Sequence, residues 1–388
     1  MFLSESKIRK MKNMFKIFGL FILFASSSCT TDEKIVFIDG EETANDPITS
    51  EYPTAKEVII DMGAGFNLGN TFDNGINTAT FTSVKPIIDL YKNAGMKHVR
   101  IPTTWMDRFN DNLADANGNV NVNHPRFLEL VQVIDYAISL DMYVVVNTHH
   151  EHWLKDNYDG TETYDTKFQT LWTGIATYFK DYPVNLIFEV LNEPEGNLGE
   201  NDGDGPFPDP TDPIALEYTR RVNKVGYDAI RATGGNNETR IVMVGTNGQG
   251  NAIYFGDVYP TKTTLPGEGQ DYYLAIQVHS YSPWEFCGET GSNAAFPGTA
   301  YFENGIQNVS VHSFILDVPI NYGEFGVGRN GNTAERNTDL VRGYYKTMAD
   351  ATLGQNMSYS VWDDRGWFGL VNNSGTDFTF NIVPYMLQ

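Results

Sequence analysis

Eight short runs rich in Val, Ile, Leu and Phe recur along the chain: MGAGFNLG (62–69), KHVRIP (97–102), MYVVVNT (142–148), NLIFEVLN (185–192), RIVMVGT (240–246), YLAIQVHS (273–280), VPINYGEF (318–325) and SYSVWD (358–363). Most do not alternate apolar with polar residues, so the strands they predict must be covered on the outer face as well as the inner one. The cover comes from the stretches between them, such as VKPIIDLYKNAG, PRFLELVQVIDYAISL, KFQTLWTGIATYFKDY, DPIALEYTRRVNKVGYDAIRATG and ERNTDLVRGYYKTMADATLG. Their apolar residues recur at helical spacing. The helical pattern weakens after the fifth, sixth and eighth runs. Eight strand–helix units predict an α/β fold, a single (β/α)8 TIM barrel, rather than an open doubly wound sheet. No G-x-G-x-x-G loop follows the first run, which argues against a dinucleotide-binding sheet. Such a barrel needs about 250 residues, and the 388-residue chain accommodates it after an N-terminal extension.

That extension reads in two parts. Lys7, Arg9, Lys10, Lys12 and Lys16 precede the apolar run IFGLFILFA, and SSS leads into Cys29. The pattern resembles a bacterial lipoprotein signal peptide, residues 1–29, ending at Cys29, and the run is shorter than the ~20 residues a membrane-spanning helix needs. Residues 30–53 are acidic and turn-rich and read as a tether; the barrel domain occupies 54–388. The expected location is outside the inner membrane of a bacterium, lipid-anchored through Cys29 to the outer membrane or cell surface. Of the two cysteines, a lipidated Cys29 leaves Cys287 without a disulfide partner. A formal charge of -22 repels nucleic acid and anionic lipid, so neither is an expected ligand. The membrane is then a partner only through the anchor, the protein is expected to act as a monomer, and a neutral ligand fits the charge.

In a barrel of this kind the loops after the strands share one mouth, so functional groups are sought at the strand tips. Those tips read NLGNTFD, VRIP, NTHHEHW, LNEPE, VHSYSPW, NYGEFG and VWDDRGW. Glu193 and Glu324, on the fourth and seventh, are expected across the mouth from one another at ~5 Å, the separation at which one carboxylate attacks an anomeric carbon while the other gives up a proton. The proton donor needs a raised pKa, which the nearby charge of Glu324 would supply.

Taken in order, VRIP, NTHH, FEVLNEP, VHSY, NYGEFG and SVWD resemble glycoside hydrolase family 5, the cellulase-type retaining enzymes, and GFNLGNTFD is similar to its endoglucanase branch. The resemblance covers roughly residues 60–388. It implies a polysaccharide substrate, no metal and no cofactor, with Glu193 as acid/base and Glu324 as nucleophile. By the same resemblance Asn192 meets the sugar 2-hydroxyl, and Arg100 and Tyr281 hold Glu324 and lower its pKa. His149 and His279 bind the sugar or tune the acid, and Trp362 forms the sugar floor. Asn70 and Asp73 fall where the family reads the neighbouring sugar, Asp73 being one methylene shorter than the glutamate of some relatives. His150 is expected near the substrate, and Trp284 and Trp367, like Trp153, are loop rings suited to stack on pyranoses.

The implied activity is retaining endo-cleavage of β-1,4 linkages in neutral plant polysaccharide, foremost as an endo-β-1,4-glucanase, with xyloglucanase, mixed-linkage glucanase and β-mannanase as alternatives. A zinc hydrolase using His150 and His152, which would share a face of an extended segment, is a rival reading. A non-catalytic glycan-binding lipoprotein is another. The acids of loop 199–213 (Glu200, Asp202, Asp204, Asp209, Asp212) have spacing that could chelate Ca²⁺, although such Pro-interrupted loops are usually just solvated.

Overall fold

Each of the eight apolar runs is a strand: β1 (Ala64–Asn67), β2 (His98–Ile101), β3 (Tyr143–Asn147), β4 (Leu186–Glu189), β5 (Val242–Gly245), β6 (Leu274–Ser280), β7 (Ile320–Phe325) and β8 (Ser358–Val361). They pair in parallel in chain order until β8 closes on β1. The structure, a computed structural model, describes residues 52–74, 79–107, 111–200, 206–372 and 374–388. The signal segment, Cys29 and the tether up to residue 51 lie outside the described residues.

The helices are α1 (Ala55–Met62), α2 (Phe81–Asn93), α3 (Pro125–Ser139), α4 (Glu162–Phe179), α5 (Pro213–Ala232), α6 (Thr299–Leu316) and α7 (Asp339–Gly354), with shorter turns between them. Five of these seven carry the expected helical patterns. In α6 the pattern was faint because apolar residues lie on both faces: Phe302, Ile306, Val309 and Leu316 are buried, while Phe314 is 87% exposed. Between β5 and β6 the sheet is covered by short turns such as Asn247–Gly250 and Phe255–Val258. Asp212, the last acid of the 199–213 loop, is the N-cap of α5 and accepts the Ile214 N–H at 2.8 Å. Its role is helix capping, aided by Pro213 at the first helical position. Asp202 and Asp204 lie outside the described residues.

Two cores follow from the two faces of the strands. Outward residues such as Phe66, Val99, Val144, Phe188 and Val244 pack against the helices. Inward residues Val145, Ile187, Met243 and Ala275 meet Val58, Ile59 and Met62 of α1, so α1 plugs the N-terminal mouth. It is fixed there by Thr54, whose hydroxyl accepts the Glu57 N–H while the Glu57 carboxylate accepts the Thr54 N–H. Above the plug the barrel is filled by polar side chains. The His98 ring reaches the Ser360 hydroxyl (2.8 Å) and the Met62 carbonyl (3.0 Å), and it passes so close to Gly65 that a Cβ there would lie 2.3 Å from it. Gln277 crosses Gly323 in the same way, at 2.1 Å. Two positions on a step of two residues, His98 and Arg100, share the inner face of β2. Arg100 therefore points up into the mouth where the tips converge.

Candidate active site

Burying a guanidinium costs several kcal/mol unless its N–H groups are all used. Arg100 is fully buried, and five hydrogen bonds consume its donors. Nε and Nη2 grip Glu189 of β4 at 2.6 and 2.7 Å, and Nη1 reaches Glu324 Oε1 at 2.6 Å and Asn67 Oδ1 at 2.8 Å. The remaining Nη2 hydrogen goes to Asn192 Oδ1 at 2.6 Å. The guanidinium thus ties β1, β2, β4 and β7 together. It takes the oxygen of Asn192, whose NH₂ lies 3.5 Å from Glu193 Oε2. Burial pushes Glu189 upward, but the Arg100 charge together with hydrogen bonds from Arg100 and Asn147 outweighs it and leaves that carboxyl below its ordinary value.

Glu324, 4% exposed, also accepts the Tyr281 hydroxyl at 3.1 Å. Glu193 lies within 4.8 Å of it, atom to atom, with His279 completing the trio. The two glutamates come from strands three apart around the wall, not from opposite sides of the mouth. Glu193 takes a left-handed backbone, φ +45°, a strained conformation for a residue with a Cβ and one that turns its side chain off the end of β4. Its Oε1 is 2.8 Å from His279 Nδ1. His279 Nε2 has no hydrogen-bond partner among the described residues and stands 3.8 Å from Glu324.

Burial pushes Glu193 up to about 7, and the next largest upward push is the charge of Glu195. This corrects the sequence-based expectation, which assigned that role to Glu324. Glu324 is itself raised by burial, against the pull of His279 and then of Arg100, so the expected lowering by Arg100 and Tyr281 is outweighed by desolvation. Arg100, bonded directly to Glu324 and not to Glu193, still favours the ionised form of Glu324 over that of its neighbour. Burial brings His279 down to about 4 and His150 to about 3, and holds His149 well below the usual range. All three imidazoles are neutral near pH 7.

A cleft of about 560 Å³ lies over this network; Asn70, Asp73, Trp362 and Phe368 line it from the loops after β1 and β8, and Glu195, Gly248 and Gln249 from the loops after β4 and β5, across the closed barrel. His149, His150, Tyr281 and Trp284 also line it. The Trp362 and His149 rings are parallel at 6.3 Å, and Gly69 passes under Trp362 where a Cβ would lie 2.8 Å away. Trp367 is outside this lining and 44% exposed; Phe368, the next residue, takes the place expected of it and packs edge-on against Tyr281 at 5.6 Å. Asp73 spends both oxygens on its own loop, on the N–H groups of Asn70 (3.0 Å) and Thr71 (2.8 Å). It therefore shapes the loop that presents Asn70 as well as lining the cleft.

Sequence reasoning missed Glu189, Lys155 and Glu195. A charge in the middle of the apolar run NLIFEVLN was the available signal for Glu189. As for metals, ligand atoms of Asp73, His149 and His150 lie within 4.8 Å of one another, as do those of the Glu193 trio. His150 and His152 gain no third ligand together among the described residues; His152 is 51% exposed and turns toward Asp156 and Glu195. Glu151 between them is buried and accepts the Trp105 N–H (2.6 Å) and the Trp153 Nε1–H (2.7 Å).

The profile of the Cellulase family (glycosyl hydrolase family 5) matches residues 63–365. Endoglucanase A of Clostridium longisporum is 32% identical over 85% of the chain, which spans 64% of that protein's length. Endoglucanase B of Ruminococcus albus is 30% identical, over 87% of this chain and 80% of its own. Among solved structures, a GH5-4 broad specificity endoglucanase from Clostridium longisporum superposes with a TM-score of 0.70 at 28% identity, covering 86% of this chain and 97% of that one. A Glycoside Hydrolase 5 lichenase from Caldicellulosiruptor, solved as a mutant with cellotetraose, gives 0.71 at 25% identity over 87% and 95%. With the eight-stranded barrel and the paired glutamates of the mouth, these matches place the chain in glycosyl hydrolase family 5, the cellulase family.

Proposed function

We propose that the protein is an endo-β-1,4-glucanase that cleaves neutral polysaccharide with retention of configuration. The observation that carries the reading is the pair Glu193 and Glu324, within 4.8 Å but with opposite surroundings. An inverting enzyme spaces its carboxyl groups ~6.5–9.5 Å apart to admit a water, whereas a retaining one needs ~5–5.5 Å. Glu324, bonded to Arg100, is the nucleophile: its oxygen attacks the anomeric carbon and forms a glycosyl ester as the leaving oxygen takes the proton of Glu193. Water then gives a proton back to Glu193 and cleaves the ester, and two inversions restore the starting configuration. Asn192, its oxygen held by Arg100 and its NH₂ 3.5 Å from Glu193 Oε2, is the group assigned to the sugar 2-hydroxyl, and Trp362 supplies the stacking floor.

The names of the relatives, endoglucanases and a lichenase solved with cellotetraose, favour a β-glucan over mannan. An exported, Cys29-anchored form rests on the N-terminal sequence pattern. The test is a reducing-end assay on carboxymethylcellulose, mixed-linkage glucan, xyloglucan and mannan, with product lengths and the first-formed anomer determined. Mixed oligosaccharides with the β-anomer formed first are expected on at least one glucan. An α-anomer, or binding without release of reducing ends, would overturn the reading.

A further inference from the structure

The proposed chemistry uses one pair of charged side chains at the cleft, Lys155 and Glu195, only through the Glu195 charge beside Glu193. Lys155 is fully buried, and its ammonium lies 3.1 Å from Glu195 Oε1. Glu195 is two residues beyond Glu193, its side chain 18% exposed, and it lines the cleft beside Glu193, His150 and Gln249. A buried ammonium is expensive to keep, and here it fixes one carboxylate oxygen. The backbone is fixed too. The Leu198 N–H donates to the Glu195 carbonyl at 3.0 Å, and Gly196, at φ +61°, runs so close to the next segment that a Cβ would lie 2.8 Å from the Lys155 carbonyl oxygen. The second oxygen, Oε2, has no hydrogen-bond partner among the described residues. A rigid, half-satisfied carboxylate in a cleft wall is a preorganised acceptor.

The position says what it would accept. Glu193 delivers its proton to the leaving oxygen, so the departing sugar lies on the wall that carries Glu193, after β4, while Asn70, Asp73 and Trp362 line the cleft from the loops after β1 and β8, across the barrel. We propose that Glu195, held from behind by Lys155, accepts a hydroxyl of the departing sugar and is a specificity-determining residue for the leaving-group subsite. The inference rests on the assignment of Glu193 as the acid. It selects neutral glycosyl units there, since a uronate would meet the Glu195 charge.

The test uses Glu195→Gln, which keeps size and removes charge, and Lys155→Met/Glu195→Gln, which also removes the cation the first change would strand and is read if the single variant fails to fold. For each, kcat/KM is measured across pH and compared on the low-pH plateau, where Glu193 holds its proton with or without the Glu195 charge, on cellotetraose, whose leaving group is a sugar, and on an activated aryl β-cellobioside, whose leaving group is not. The ratio of the first to the second is expected to fall about 10- to 100-fold, the range for a hydrogen bond to a charged group. An unchanged ratio overturns the inference. Glu193→Ala, run beside them, separates the two levels: it should lose cellotetraose cleavage while keeping kcat/KM on the aryl glycoside. Equal loss on both would overturn the acid assignment itself and the inference with it, whereas the expected pattern there with an unchanged Glu195 ratio removes the inference alone.

Discussion

Glu324 and Glu193 are the same residue type in the same cleft, and the two walls that hold them differ in one respect. The wall built from β2, β6 and β7 gives Glu324 an arginine at 2.6 Å and a tyrosine hydroxyl at 3.1 Å. The wall after β4 and β6 gives Glu193 a neutral imidazole at 2.8 Å and a second carboxylate, Glu195. Burial raises both, so desolvation alone cannot divide their labour. Placement of the cation does: one carboxylate is bonded to a permanent positive charge and the other is not.

Breaking the Glu324 side should have the largest effect. Glu324→Ala removes the proposed nucleophile, and kcat/KM on β-glucan should fall at least ~10⁴-fold, as for loss of other enzymic nucleophiles. Activity within tenfold of wild type would mean that the roles are misassigned. Breaking the Glu193 side should cost less and depend on the leaving group. Glu193→Ala should lose about 10²- to 10⁴-fold on polysaccharide, with azide restoring turnover on activated aryl glycosides as a glycosyl azide. In the wild type, kcat/KM on polysaccharide should decline as pH rises past about 7, where Glu193 gives up its proton; a decline beginning two units lower would show that burial and Glu195 do not raise it.

Removing the cation tests the contrast from the other side. Arg100→Leu leaves Glu189 and Glu324 buried without a counter-charge, and urea unfolding should show a loss of about 3–5 kcal/mol. Adding Glu189→Gln should recover part of it. A single variant as stable as wild type would mean that the network is not held together by Arg100.

How much of this was legible in the chain follows from which forces are local. The strands were readable because burial on both faces writes a contiguous apolar run, and the tips because the ordered motifs carry their polar residues at fixed offsets. Glu189 was not assigned because a charge inside a strand makes sense only once Arg100, 89 residues away in sequence, is seen opposite it. Lys155 in a polar loop reads as a solvated lysine until the fold buries it. Trp367 and Phe368 are adjacent rings, and sequence does not say which one the turn directs into the cleft. The source of the raised Glu193 pKa was misread for a related reason. The Glu324 charge is already answered by Arg100, while Glu195, two residues from Glu193, raises it by more than the Lys155 charge lowers it.

The smallest effect sharpens the comparison through stability. Glu193 ionises near 4.5 in an unfolded chain and at about 7 in the folded protein. Between those values the unfolded state has released a proton that the folded state keeps, so stability falls as pH rises; the cost is absent below 4.5 and complete above about 7. A shift of that size corresponds to at most about 3 kcal/mol, less in practice because the side chain is 22% exposed. Glu193→Gln keeps the shape and cannot ionise, so it should raise Tm by a few degrees at pH 8 and by almost nothing at pH 4.5, measured by calorimetry at both values. Equal gains at the two pH values would place the benefit in packing or backbone relief, since the φ of +45° is a cost that does not titrate. A gain confined to high pH would identify it as the desolvation of a carboxylate without a cation of its own, the feature that separates Glu193 from Glu324.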